Sequence, residues 1–217
     1  MRYPFPGLDE MKHPKTYFEE LPKIAETKPG TGFVASFNGV WAYDFDDIAH
    51  DFCVNSRKED MASADALYPT EFKDGDALYF IEFKDRRLAE LNEQGADGSD
   101  ETIDIELSKK ASDSLMVLAA TLLRDGTMSD VQRRSEFIVV YNDTPPGDED
   151  PESIRKFADD LAAWSKIGKD KQGVTVLWDL NRFKTAGFYR QVHTWSESQF
   201  RKFARGFMQR TDGTNDF

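Results

Sequence analysis

The run Ala77-Leu78-Tyr79-Phe80-Ile81-Glu82-Phe83-Lys84 is apolar until two ionisable residues appear at its end. An almost continuous apolar run of this length is typical of a strand that is buried on both faces. Residues 65–72 before it read as a second strand, which Pro69 weakens. The turn between them, Lys73-Asp74-Gly75-Asp76, is typical of a hairpin. We therefore expect an antiparallel hairpin at the centre of the fold.

Hairpin geometry predicts a cluster of charges at one end of these two strands. If Asp74-Gly75 forms a two-residue loop, Lys84 lies directly opposite Asp65. Side chains alternate between the faces of a strand, so Glu82 and Lys84 share one face. A directly paired residue points to the same side, which adds Asp65 to that face. A bulge at Pro69 would shift the register by one residue and separate the three side chains.

Two neighbouring carboxylates, Asp65 and Glu82, repel each other unless a cation lies between them. Oxygen ligands that leave positions open for water suit Mg²⁺ or Mn²⁺. Such a metal lowers the pKa of a bound water and stabilises charge on a phosphate. Lys84 would position the water or neutralise developing charge, and burial would lower its own pKa towards neutrality. The sequence thus predicts Asp65 and Glu82 as metal ligands, and Asp65, Glu82 and Lys84 as catalytic residues.

The acid Asp65 on one strand, followed by Glu82-Phe83-Lys84 on the next, resembles the motif of the PD-(D/E)xK (restriction-endonuclease-like) nuclease superfamily. The resemblance covers roughly residues 44–141, where the order of helix, strands, helix and strand also looks like the core of that family. It implies a restriction-endonuclease-like fold and a Mg²⁺- or Mn²⁺-dependent phosphodiesterase that acts on nucleic acid. No proline precedes Asp65, so one marker of the family is missing.

The same resemblance implies further site residues on the helices that flank the hairpin. Asp47 and Asp51 are the candidates for an additional acid from the preceding helix, and Lys109 or Lys110 for a basic residue from the following one. Four segments also resemble a group of uncharacterised bacterial proteins, which adds no function: residues 80–85, 112–115, 137–142 and 192–195.

The remaining patterns predict a mixed α/β fold, with a small central sheet flanked by helices. Residues 1–40 would form an extension packed on the core, residues 41–210 a single domain, and residues 211–217 a frayed tail. Ser196-Glu197-Ser198-Gln199 is a capping box that predicts a helix. The other predicted helices begin near residues 17, 45, 105 and 151, and the other predicted strands span residues 137–141, 174–178 and 187–194.

Composition limits the classes of protein to consider. The chain has 217 residues, of which 39% are hydrophobic and 31% charged, enough apolar material for one packed domain. It has no apolar run long enough for a transmembrane helix and no apolar leader, so we expect a cytoplasmic protein without a membrane partner. One cysteine, Cys53, excludes a disulfide framework and a multi-cysteine zinc site. We expect Cys53 and His193 to be core residues.

The net charge of −12 argues against broad coating of nucleic acid and favours a second hypothesis. In this alternative, the same fold is a non-catalytic module that binds a protein partner, for example in a toxin or phage-defence system. A third alternative is an unrelated α/β domain in which Glu82 and Lys84 form an ordinary salt bridge. Basic residues near the C-terminus, among them Arg190 and Arg201, would either contact a nucleic-acid backbone or form a solvated helix face.

Overall fold

In a computed structural model of the chain, the described residues are 17–25, 40–57, 59–70, 77–87, 102–121, 128–142, 170, 173–174 and 176–207. Their helices and strands follow in this order: β1 (Phe18–Glu20), α1 (Leu21–Ala25), β2 (Trp41–Asp44), α2 (Phe45–Ser56), β3 (Ala66–Thr70), β4 (Ala77–Arg87), α3 (Ile103–Thr121), α4 (Met128–Arg134), β5 (Ser135–Asn142), α5 (Asn181–Thr185), β6 (Gln191–Ser196) and α6 (Glu197–Phe207). The predicted mixed α/β class is confirmed. None of these helices is long and apolar enough to cross a membrane.

The strands form one six-stranded sheet in the order β1-β2-β3-β4-β5-β6. Strands β1 to β4 pair antiparallel, whereas β4 with β5 and β5 with β6 pair parallel. Parallel neighbours need a crossover connection, and α3 and α4 lie in the chain between β4 and β5. The crossover therefore brings α3 over β4, the strand that carries Glu82 and Lys84.

The central strand β4 has a packed layer on each side. It is buried from Ala77 to Phe83, as the apolar run predicts. Phe80 belongs to a core cluster with residues of α2 and α3, whereas Ile81 belongs to a second cluster with residues of α1 and α6. Glu82 and Lys84 lie two and four residues after Phe80, so their side chains point to the same face of β4, which α3 covers.

The register of the hairpin differs from the prediction by two residues. Ala66 pairs with Ile81, and continuing that register places Asp65 opposite Glu82 rather than opposite Lys84. The two-residue loop was the wrong assumption, because the last pair is Thr70 with Ala77 and residues 71–76 separate them. A shift by an even number of residues keeps every side chain on its face, so the predicted clustering survives.

Two other predicted elements differ from the structure. The helix expected from residue 17 is instead β1, which pairs with β2, followed by the short helix α1. The strand expected at residues 174–178 is wrong for the residues described, because Trp178 and Asp179 adopt positive φ values of 54° and 51°. That left-handed backbone forms a turn, which cannot continue a strand. Helix α4 was not predicted.

The capping box at Ser196 is confirmed at the start of α6. The Ser196 N–H donates to Gln199 Oε1 (2.9 Å), and the Gln199 N–H donates back to Ser196 Oγ (3.4 Å). The helix expected after Pro151 and the tail at residues 211–217 lie outside the described residues, as does most of the predicted extension at residues 1–40.

Candidate functional site

The structure brings Asp65 and Glu82 together where β3 begins and the buried part of β4 ends. They are neighbours across the two strands, and Asp65 Oδ2 accepts a hydrogen bond from the Phe83 N–H (2.6 Å). The Asp65 side chain is 19% exposed and the Glu82 side chain 1%. A buried carboxylate needs cationic or hydrogen-bonding partners, because desolvation otherwise makes its charge very costly.

Helix α3 fixes the backbone that leads into Asp65. The Ala62 N–H donates to Asp113 Oδ2 (3.1 Å), and the Ala64 N–H donates to the buried Ser114 Oγ (2.9 Å). Backbone N–H groups at this point have left the strand ladder, so these side chains satisfy donors that burial would otherwise leave unpaired. The position of Asp65 is therefore tied to the helix that also supplies Lys110.

Glu82 is held between two lysines. Its Oε1 lies 2.8 Å from both Lys84 Nζ and Lys110 Nζ, but accepts a geometrically good hydrogen bond from neither. Lys110 Nζ donates instead to Glu82 Oε2 (2.9 Å) and also lies 3.5 Å from Asp65 Oδ1. The ammonium group of Lys110 therefore spans both predicted metal ligands.

Glu106 extends the cluster towards solvent. Its carboxylate accepts a hydrogen bond from Lys84 Nζ, and its side chain is 41% exposed. Negative and positive side chains thus alternate along one chain of contacts that runs Glu106, Lys84, Glu82, Lys110, Asp65. With three carboxylates and two ammonium groups, the fully ionised cluster has a formal excess of negative charge.

Burial raises the pKa of Asp65 to about 7, and the Glu82 carboxylate adds to this rise, while Lys110, the Phe83 N–H and Lys84 oppose it. Burial lowers the pKa of Lys84, but the carboxylates of Glu82 and Glu106 outweigh burial, so its pKa is raised. The pKa of Lys110 is also raised, because Glu82 and Asp65 overcome the effect of burial. The prediction that burial would bring the pKa of Lys84 towards neutrality is wrong, and Lys84 stays an ammonium group.

The flanking helices contribute only part of what the resemblance implies. Lys110 reaches the cluster, whereas its neighbour Lys109 is exposed. Asp47 is exposed, and its N–H donates to Oδ1 of Asp44 (3.0 Å), the residue that caps α2. Asp51 accepts a hydrogen bond from Tyr17. Among the described contacts, neither aspartate touches Asp65 or Glu82.

Glu106 is the site residue that the sequence reasoning missed. It precedes Lys110 by four residues, a spacing that puts two side chains on the same face of a helix. That spacing is the signal that would have found it, once Lys110 was a candidate.

The donor set fits a divalent cation of the magnesium type. Within the described part of the chain, no group of three or more His, Cys, Asp or Glu side chains is arranged to hold a metal ion. Mg²⁺ is commonly bound through only one or two carboxylates, with waters and substrate phosphate as its other ligands. Asp65 and Glu82 are such a pair of carboxylates, and Glu82 Oε1 accepts no well-formed hydrogen bond from the two ammonium groups beside it.

A second charged cluster, which was not predicted from the sequence, lies on the opposite face of the sheet. His193 Nδ1 lies 2.8 Å from Asp170 Oδ2, and His193 Nε2 lies 3.0 Å from Glu136 Oε2. Arg190 donates twice to Glu136 Oε1 (2.6 and 3.0 Å), and the Trp195 indole donates to Asp170 Oδ2 (2.9 Å). Both ring nitrogens of His193 therefore have a carboxylate oxygen within hydrogen-bonding distance.

The remaining candidates have structural roles in the part of the chain described. His193 is completely buried with both ring nitrogens bonded, and Cys53 is a buried free thiol, as predicted. Arg190 pairs with Glu136, and Arg201 pairs with Glu197 (2.5 Å). These two arginines therefore already have carboxylate partners within the chain.

Comparison with known proteins yields no relative: no protein-family model, no curated protein and no solved structure matches this chain. The chemistry of the site therefore follows from its own residues.

Proposed function

We propose that the protein is a phosphodiesterase that uses Mg²⁺ or Mn²⁺ and acts on nucleic acid. The observation that carries this proposal is the proximity of Asp65 and Glu82, which share Lys110 Nζ as a neighbour (3.5 and 2.8 Å), with Lys84 Nζ 2.8 Å from Glu82 Oε1. The resemblance to PD-(D/E)xK nucleases rests on Asp65, Glu82 and Lys84. The order α2, antiparallel β3 and β4, α3, then parallel β5 is consistent with the restriction-endonuclease-like core that the resemblance implies.

In this proposal, Asp65 and Glu82 hold the cation and Lys84 faces the substrate. The bound cation would lower the pKa of a water molecule and offset the charge of the phosphate. Hydrolysis joins the water oxygen to phosphorus and breaks the bond from phosphorus to the leaving oxygen, which takes up a proton. Because Lys84 is an ammonium group, it stabilises negative charge on phosphate oxygens and does not accept the proton of the water.

A matched pair of substitutions tests the proposal. Glu82 and Glu136 are both completely buried glutamates, so Glu82→Gln and Glu136→Gln remove the same charge from opposite faces of the sheet. Calorimetric titration with Mn²⁺ should show binding to the wild type and to Glu136→Gln, with affinity lowered at least about 100-fold in Glu82→Gln. If Glu136→Gln is too unstable to titrate, Glu197→Gln replaces it, because Glu197 is a buried glutamate of α6.

Hydrolysis is measured on the same variants. Single- and double-stranded DNA and RNA are incubated with Mg²⁺ or Mn²⁺, and cleavage should disappear in Glu82→Gln and in Lys84→Met. Equal Mn²⁺ affinity in the wild type and Glu82→Gln would remove Glu82 from the site. Absence of cleavage by the wild type, on every substrate and with either metal, would refute the enzymatic function.

A non-catalytic module that binds a protein partner is the second candidate. The net charge of −12 favours it, and so does the pairing of Arg190 and Arg201 with glutamates of the same chain. Because these two arginines are already neutralised by carboxylates, they contribute less positive charge for contact with a nucleic-acid backbone. This function predicts neither Mn²⁺ binding nor cleavage by the wild type, so the titration separates the two candidates.

A further inference from the structure

Lys110 takes the position that a cation between Asp65 and Glu82 would need. Its Nζ lies 2.8 Å from Glu82 Oε1, 2.9 Å from Glu82 Oε2 and 3.5 Å from Asp65 Oδ1. Two neighbouring carboxylates repel each other in a partly buried site, and a positive charge between them removes that repulsion. In the structure, the Lys110 ammonium group supplies this charge.

The backbone of Lys110 is held in place by its packed neighbours on α3, whereas its side chain is partly exposed to solvent. The neighbouring Leu107 and Ala111 are completely buried, and Tyr189 Oη donates to the carbonyl oxygen of Ala111 (2.6 Å). The Lys110 side chain is 18% exposed, so part of it borders on solvent. A lysine has a flexible four-carbon stem, which lets the ammonium group swing away while the helix stays in place.

We propose that Lys110 is a built-in competitor for the divalent cation, whose ammonium group lies between Asp65 and Glu82 in the metal-free protein and leaves when the cation binds. The inference rests on the metal site of the proposed function and adds a means of regulating it. A doubly charged ion neutralises both carboxylates at once, whereas the ammonium group carries a single charge. The apparent affinity for the cation equals the intrinsic affinity multiplied by the fraction of molecules in which Lys110 has left this position. The more often Lys110 lies between the carboxylates, the weaker the apparent binding.

Lys84 provides the comparison that separates competition from a general effect of charge. It also lies 2.8 Å from Glu82 Oε1, but its other described partner is Glu106 and not Asp65. Removing either lysine deletes one positive charge next to the same glutamate oxygen. Only the removal of Lys110 empties the space between the two carboxylates.

The test is a calorimetric titration of Mn²⁺ into metal-free wild type, Lys110→Met, Lys84→Met and Lys109→Met, with free Mn²⁺ followed independently by electron paramagnetic resonance. Lys110→Met should bind Mn²⁺ at least about tenfold more tightly than the wild type. Lys84→Met should gain clearly less, and Lys109→Met should match the wild type because Lys109 is exposed and the contacts described around Glu82 come from Lys84 and Lys110. Mn²⁺ should also raise the Tm of Lys110→Met more than that of the wild type.

Three results would overturn the inference: equal or weaker Mn²⁺ binding by Lys110→Met, equal gains in Lys110→Met and Lys84→Met, or no binding by any of the four proteins. The last result refutes the proposed metal site as well, whereas the first two leave that site intact. Circular dichroism establishes that each variant is folded, and Lys110→Gln replaces Lys110→Met if the methionine variant is not.

Discussion

Glu82 and Glu136 are both completely buried on the central sheet, but the groups around them differ in kind. Glu136 lies between His193 and Arg190: its Oε1 accepts two hydrogen bonds from Arg190, and its Oε2 lies 3.0 Å from His193 Nε2. Glu82 has two lysine partners, and its Oε1 accepts a well-formed hydrogen bond from neither. In the Glu136 cluster (Glu136, Asp170, His193, Arg190 and Trp195), both Glu136 oxygens have partners, whereas the Glu82 cluster (Glu82, Asp65, Lys84, Lys110 and Glu106) is the one to which we assign the proposed cation.

The largest expected effect on stability is that of Glu136→Gln. This change leaves the buried His193 ring and the Arg190 guanidinium without their shared carboxylate, which should cost about 3–5 kcal/mol. Urea unfolding at neutral pH measures the loss, followed by circular dichroism. A loss under about 1 kcal/mol would show that the Glu136 cluster contributes little to stability.

Glu82→Gln should cost at least about 1 kcal/mol less than Glu136→Gln, because its two lysines keep other partners. Lys84 retains Glu106 and Lys110 retains Asp65, and both lysine side chains border on solvent. The same urea titration compares the two variants. Equal losses would mean that the two clusters are equally structural, and the distinction between them would fail.

The difference between the clusters could be predicted only in part. The alternation of side chains along β4 was enough to place Glu82 and Lys84 on one face. This part of the prediction remained correct although the predicted register was wrong by two residues. The register itself depended on the connection at residues 71–76, where the Asp74-Gly75 signal suggested too short a loop. Local patterns also found α2 and the capping box of Ser196, because those contacts lie within a few residues of one another.

The Glu136 cluster could not be predicted, since it joins residues that are far apart in the sequence. Asp170, Glu136 and His193 meet only after β5 and β6 have paired in parallel. The strand predicted at residues 174–178 was wrong for a different reason, which lies at Trp178 and Asp179. An apolar run before them is typical of a strand, and a tryptophan does not indicate the left-handed backbone at which the run ends.

The pH dependence of stability offers a sharper view of the Glu136 cluster. Burial alone would raise the pKa of Asp170, but hydrogen bonds from His193, the Val174 N–H and Trp195 outweigh it, so the pKa is lowered from 3.8. A carboxyl group with a lowered pKa stabilises the fold above its unfolded pKa and loses this effect as the pH falls. Asp170→Asn should therefore cost about 2 kcal/mol at neutral pH, and the difference from wild type should shrink below pH 3.8.

Urea unfolding of wild type and Asp170→Asn at neutral pH and at about pH 3 measures this dependence. Asp130→Asn is the control, because Asp130 forms an i,i+3 pair with Arg133 on the surface of α4 and should change stability by less than about 0.5 kcal/mol. A difference between wild type and Asp170→Asn that stayed constant with pH would mean that the ionised carboxylate of Asp170 is not what stabilises the cluster.

The smallest effect tests how the Glu82 cluster is held in place. Ser114→Ala removes the acceptor of the buried Ala64 N–H, next to Asp65, and should cost about 1 kcal/mol of stability. Because Asp65 would then be less firmly positioned opposite Glu82, Mn²⁺ affinity should fall about threefold as well. Ser114→Thr keeps the hydroxyl group that accepts from the Ala64 N–H and should restore the affinity. A variant that lost stability but kept full Mn²⁺ affinity would show that Ser114 supports α3 without positioning Asp65.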